Sequence, residues 1–164
     1  MAIKAFLGLG NPGKEYEKTY HNVGKWAEGE LGRMYEPEVD LGSDLITQEV
    51  FMNQSSAAAR MVLRNKPYTI ESVLVIHDDS DLLVGQYKLV LGGGSAGHKG
   101  VQDLIDQYGT ENFWRLRIGI RDPKEQVRRK ALEFVLNKWS VADEVLFKEA
   151  LTRAWEELTS KELL

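Results

Sequence analysis

The chain contains no cysteine, which excludes disulfides, thiolate metal sites and a thiol nucleophile. It has no apolar run near the roughly eighteen residues that a membrane-spanning helix needs. Its opening, MAIKAFLGLGNPG, lacks the pattern of a signal-peptide cleavage site, so a soluble cytoplasmic protein with no membrane partner is expected. Linkers, repeats and low-complexity stretches are lacking, and one domain over residues 1–164 is expected. Positive charge is not in excess either. Against 25 Asp and Glu stand 21 Lys and Arg, and a net −4 over 164 residues disfavours a nucleic-acid partner. Hydrophobic residues at 43% and charged residues at 28% fit a globular chain rather than a disordered or fibrous one.

The charge is uneven along the chain. Residues 1–84 carry 8 basic and 13 acidic groups, residues 85–130 carry 9 and 5, and residues 131–164 carry 4 and 7. In the middle segment Arg115, Arg117, Arg121, Lys124, Arg128, Arg129 and Lys130 stand near only Asp122 and Glu125. Two readings stay open: a local basic surface, or a solvated helix face with i,i+4 pairs.

Apolar patterning predicts strands at 3–9, 45–51, 73–77, 86–91 and 114–120. Helices are predicted at 23–35, with Asn22 as N-cap, at 53–65, with Asn53 or Ser55 at its start, at 100–108, and over the tail 141–164. In the tail, Val145, Leu146, Ala150, Leu151, Ala154 and Leu158 form the expected buried stripe. Alternation of helices and strands predicts an α/β/α sandwich around a mixed, mostly parallel twisted sheet.

Gly8-Leu9-Gly10-Asn11-Pro12-Gly13 is formally G-x-G-x-x-G after a strand. A dinucleotide site needs a helix opening at the third glycine, and the polar KEYEKTYHN that follows has no helical stripe. A nucleotide-binding protein is therefore the weakest of the readings. Gly92-Gly93-Gly94-Ser95-Ala96-Gly97-His98-Lys99-Gly100 lacks the Gly-Lys-Ser/Thr of a Walker motif. Its backbone N–H groups, with His98 and Lys99, suit a phosphate or carbonyl. His77-Asp78-Asp79-Ser80-Asp81 follows the apolar strand at the end where α/β sheets place ligands. Its carboxylates could bind a hard cation, orient a histidine, or form an acidic turn. His21, in Thr19-Tyr20-His21-Asn22-Val23-Gly24, suits a general base if a partner fixes its tautomer. No G-x-S-x-G elbow is present, which leaves water attack assisted by histidine.

Taken in order, these segments resemble the bacterial-type peptidyl-tRNA hydrolase family. The set comprises Gly8–Gly13 with Tyr16, Thr19–Gly24, Phe51-Met52-Asn53-Gln54-Ser55, His77–Leu82, Gly92–Gly100 and Arg115-Leu116-Arg117-Ile118-Gly119-Ile120. The resemblance covers about residues 3 to 137. It implies hydrolysis of the ester between a peptide and the 3′ ribose of tRNA, by a monomer that needs no metal or cofactor. It implies that His21 activates water and that Asp78 holds its imidazole. Asn11 is implied to touch the peptide end, and Asn53 to bind near the scissile carbonyl. Tyr16, Phe51 and Met52 are implied to line the pocket for the 3′-terminal nucleotide and peptide. Gly97, His98, Lys99, Lys88, Arg115 and Arg117 are the implied tRNA contacts.

The chain departs from the family pattern at Lys99, usually Asn, at Tyr20, usually Arg, and at Ser56, usually Gly. Val90 stands where a second basic residue is common, and the stretch from 32 to 51 is short. After Ser140 the family's tail is barely recognisable. These departures keep a rival open: a relative that binds tRNA or another RNA without efficient hydrolysis.

Overall fold

Four strands and four helices make up the regular structure of a computed structural model that describes residues 2–34, 50–125 and 129–164. Strands β1 (Ala5–Gly8), β2 (Val73–Leu83), β3 (Tyr87–Leu91) and β4 (Trp114–Arg121) form one sheet in the order β1-β2-β4-β3. β2 runs parallel to both β1 and β4, and β3 is the antiparallel edge. The mixed, mostly parallel sheet is as expected.

The two faces bury separate cores. Helices α1 (Val23–Met34) and α4 (Val141–Ser160) pack Val23, Ala27, Leu31, Phe147 and Leu151 against Leu74, Ile76, Leu116 and Ile118. On the other face α2 (Ser55–Leu63) and α3 (Lys99–Tyr108) pack Ala58, Ala59, Val101 and Leu104 against Leu7, Val73 and Val75. Because both faces are covered, the run Val73–Ile76 is apolar throughout and wholly buried. Each such side chain contributes about 1.5–3 kcal/mol on leaving water. This is the expected α/β/α sandwich.

Gly24 lets α1 sit directly on the sheet. A Cβ there would lie 2.3 Å from the Ile76 carbonyl oxygen, so only glycine allows the approach.

Several local expectations are corrected. β2 does not stop at His77 but continues to Leu83, so His77-Asp78-Asp79 lies within a strand, with a register shift between Asp79 and Leu83. Asn22 does not cap α1, because a single 3-10 turn over Tyr20–Asn22 precedes the helix and its amide is used elsewhere. The helix predicted at 53–65 begins at Ser55, the later of its two expected starts, because Met52–Gln54 forms a 3-10 turn, and it ends early, at Leu63. On α4 the buried stripe runs through Phe147, Ala150, Leu151, Ala154 and Leu158. Val145 falls outside that 3–4 spacing, and Leu146, four residues before Ala150, lies at the N-terminal end of the stripe; both stay exposed. Of the strand predicted at 45–51, residues 45–49 lie outside the described residues.

Candidate active site

The carboxyl halves of the parallel strands open onto a cavity of about 530 Å³, whose lining includes Asn11, His21, Met52, Asn53, Asp78 and Lys99. His21 is presented by the 3-10 turn before α1. The backbone of that turn is tied down by distant chain: Tyr20 N–H donates to the Asn137 carbonyl and His21 N–H to the Val135 carbonyl. Tyr20 reaches further, its hydroxyl lying 2.9 Å from Asp143 Oδ2 in the first turn of α4. Asp143 also completes a capping box with Ser140.

Two asparagines fix the first loop beside His21. Asn11 N–H donates to Asn22 Oδ1 at 2.8 Å, and Asn22 Nδ2 donates back to the Asn11 carbonyl at 2.9 Å. Asn11 Oδ1 then accepts from Met52 N–H at 2.8 Å, which joins this loop to the turn carrying Asn53. The Asn11 amide NH2 has no partner among the described residues and is free for a ligand. No helix opens after Gly13, where the chain makes turns up to Thr19, so the loop lacks the anion-binding helix of a dinucleotide fold.

Asp78 is buried and receives two histidines on one oxygen. His21 Nδ1 lies 2.8 Å and His98 Nε2 lies 2.9 Å from Asp78 Oδ1. The tautomers follow from the other ring nitrogens. His98 is the N-cap of α3, and its Nδ1 accepts from Val101 N–H, so its proton sits on Nε2 and points at Asp78. His21 likewise donates from Nδ1, which leaves Nε2 as its basic nitrogen. His21, Asp78 and His98 bring three possible metal donors within 4.8 Å of one another. However, a proton rather than a lone pair of His98 faces the carboxylate, so the trio reads as a hydrogen-bonded relay.

Burial pushes the Asp78 carboxyl up, but the charge and hydrogen bonds of His98 and His21 overcome it and hold the group well below the usual carboxylate range. Burial alone pushes the His21 imidazole down. The Asp78 carboxylate more than offsets this, and Lys99 acts in the opposite sense, leaving His21 above the ordinary imidazole value. His77 is held well below that value, chiefly by burial and then by the charge of His98. Its Nδ1 lies 2.8 Å from the Asp78 carbonyl, and its Nε2 is buried with no partner. Its ring meets that of His98 at 4.7 Å.

The remaining candidates divide. Phe51, Met52, Asn53, Gly97, His98 and Lys99 line the cavity; Met52 is buried, while Phe51, Asn53 and Lys99 are exposed. Tyr16 and Lys88 do not line it. Tyr16 is held in the preceding turn, where its carbonyl accepts from Thr19 N–H and Oγ1. Lys88 is exposed on β3, directly opposite Arg117 of β4. Arg115, expected among the tRNA contacts, also borders the cavity, but it is only 3% exposed and its guanidinium is taken up by the protein's own backbone. Its guanidinium donates to the carbonyls of Gly92, of Gly93 at 2.7 Å and of Gly94 at 2.9 Å. Arg117 lies 2.7 Å from Asp79 through Nη2, so Asp79 is an ion-pair partner rather than part of a cation site. Arg121 and Arg129 share Glu125, which leaves the expected basic surface with fewer free charges.

The sequence reading missed the His98–Asp78 bond and the apolar rim of the cavity. That rim is Ala131, Leu132, Val135 and Leu136, with Leu132 78% exposed. Adjacency of His98 to the glycine loop was visible, but no spacing signalled a partner twenty positions away in another element.

Comparison with known proteins agrees with this architecture. The family model for peptidyl-tRNA hydrolase matches residues 5–162. A peptidyl-tRNA hydrolase of Aquifex aeolicus is 37% identical, covering 94% of this chain and 87% of its own length. One from Variovorax paradoxus is 36% identical, over 92% of this chain and 79% of that protein. The crystal structure of peptidyl-tRNA hydrolase from Acinetobacter baumannii superposes with a TM-score of 0.76 at 29% identity, covering 96% of this chain and 87% of that one. The chain belongs to the peptidyl-tRNA hydrolase family.

Proposed function

We propose that this protein hydrolyses the ester linking a peptide to the 3′ ribose of tRNA, with His21 as general base. The observation that carries the reading is the 2.8 Å contact between His21 Nδ1 and the ionised Asp78, which leaves Nε2 basic at the cavity. Water loses a proton to His21 Nε2 as its oxygen bonds to the ester carbonyl carbon. Asn53, exposed on the cavity wall, offers its side-chain amide to the oxygen on which negative charge develops. Collapse of the intermediate breaks the bond to the ribose 3′ oxygen, which takes the proton back from His21. The products are a free peptide carboxylate and tRNA.

Asn11, whose amide NH2 has no partner among the described residues, holds the peptide end. Phe51, Met52, Leu132 and Leu136 give that part of the cavity an apolar wall. Lys88, Arg117 and the loop carrying Gly97, His98 and Lys99 are the tRNA-facing groups, and the same reading takes the protein as a cytoplasmic monomer. Among the described residues no helix is long and apolar enough to cross a membrane. A relative that only binds RNA is opposed by the intact hydrogen bonding of His21, Asp78 and Asn11. The test is cleavage of N-acetyl-aminoacyl-tRNA against the unblocked aminoacyl-tRNA. Turnover of the first and sparing of the second is expected; an intact ester on both overturns the reading.

A further inference from the structure

The cavity is lined by three basic side chains apart from histidine, and two of them are already committed. Arg115 is occupied by the carbonyls of Gly92, Gly93 and Gly94, and Arg117 by Asp79. Lys99, exposed at the cavity, has neither an ion pair nor a side-chain hydrogen bond among the described residues. The same lining carries the carboxylates of Asp78, Asp79 and Asp81, of which Asp79 is paired with Arg117, so a further negative charge developing in the cavity is opposed.

Lys99 is also poorly placed for stability. It is the first residue of α3, directly after the N-cap His98, and that first turn contains no acidic residue. A helix N-terminus carries the positive end of the helix dipole and favours anions, so an ammonium there is repelled. A residue that opposes its own helix, has no side-chain partner among the described residues and lines the same cavity as the proposed base is the pattern expected where stability is traded for activity.

We propose that Lys99 is a catalytic residue of the ester hydrolysis, its ammonium and the N-terminus of α3 together stabilising the oxyanion that develops on the scissile carbonyl. The inference rests on the proposed function of this site. Ester attack places a full negative charge on the carbonyl oxygen, and a cation at the cavity offsets the neighbouring carboxylates at that moment. The same positive charge acts on His21 and works against its protonation.

The test compares the unmodified protein with Lys99→Met, Lys99→Arg and His21→Ala on N-acetyl-aminoacyl-tRNA across pH. For Lys99→Met a fall in kcat of about tenfold or more is expected, with KM changed less than about twofold. Its acid limb should move to higher pH, because His21 loses a repelling neighbour. Its melting temperature should hold or rise, and Lys99→Arg should recover part of kcat. An unchanged kcat overturns the proposal. So does a loss carried by KM with a salt slope smaller by about one, which marks a ground-state phosphate contact. Turnover retained by His21→Ala overturns the base assignment instead. An inactive Lys99→Met that is also less stable, with no shift of the His21 ring titration by NMR, overturns the electrostatic role. If the unmodified protein leaves the ester intact, both proposals fall.

Discussion

His98 Nε2 lies 2.9 Å from Asp78 Oδ1, the oxygen to which His21 also donates. One carboxylate therefore orients the base and fastens the N-terminus of α3, so the glycine loop and the catalytic turn share an anchor. Loss of either imidazole is felt by the other through Asp78.

His21→Ala should lower kcat by about 10²–10⁴-fold, the usual contribution of a general base, while the protein stays folded and still binds tRNA. Single-turnover cleavage and fluorescence anisotropy measure the two quantities separately. A variant that keeps most of its ester cleavage would falsify the assigned role.

Asp78→Asn should act on rate and on pH dependence together. In the native protein the carboxylate raises His21 above the ordinary imidazole value, so the acid limb of kcat/KM lies above that value. Removing the carboxylate leaves burial to dominate and moves the limb to lower pH, while the plateau falls because the imidazole is no longer held in one tautomer. A plateau that stays at the native height would show that Asp78 does not orient the base.

His98→Ala and His98→Asn separate two tasks of one ring. Alanine removes the N-cap of α3 and should destabilise the fold by about 0.5–2 kcal/mol in urea titrations. Asparagine caps helices well and should restore that stability, yet it cannot replace the bond to Asp78, so kcat should remain depressed in both. Recovery of kcat by asparagine would reduce His98 to a helix cap.

Stability should fall in two stages as the solution is acidified. His77 has a folded pKa below its unfolded value, so the unfolded chain binds the extra proton and stability is lost as pH drops below about 6.5. Asp78 has a depressed folded pKa, and its contribution is present above its unfolded value of about 3.9 and lost as pH falls through the folded one. His21, raised on folding, works oppositely: its contribution is full below its unfolded value and vanishes as pH rises through the folded one. His77→Gln should flatten the first stage and spare the second, which urea midpoints between about pH 1 and 8 would reveal (roughly the window of these groups).

Arg115→Lys should lower both stability and activity, because an ammonium cannot reach the three carbonyls of Gly92, Gly93 and Gly94. The salt dependence of tRNA binding should be unchanged, whereas Lys88→Ala should reduce its slope by about one. Gly93→Ala should mimic the first effect: Gly93 has φ +94°, and a Cβ would lie 2.8 Å from Arg115 Nη2. A reduced salt slope in Arg115→Lys would return that residue to the phosphate contacts.

What the sequence could and could not show follows from where each signal resides. Val73–Ile76 read plainly as a strand because its burial on both faces is local and apolar. The strand was expected to end at His77 because Asp78 and Asp79 are polar, and only their partners make them fit a strand. Those partners, His21, His98 and Arg117, are supplied by the turn before α1, the cap of α3 and β4, and no periodicity announces such pairings. The charge pattern misled for the same reason. A cluster of arginines in sequence gives no sign that Arg115 faces inward or that Arg121 and Arg129 share Glu125. His21 and Asn11 were legible through motif resemblance, while the Asn11–Asn22 clasp was not, since Asn22 looked like an ordinary helix cap.

The backbone bond from His21 N–H to the Val135 carbonyl joins an early residue to a late one. Loop closure over so long a separation is slow and entropically demanding. The base therefore takes up its place only after the segment following β4 has docked against the turn, however early the sheet itself forms. Recovery of hydrolysis after dilution from denaturant should thus lag recovery of secondary structure, making the enzyme's own turnover a clock for the last step of its assembly.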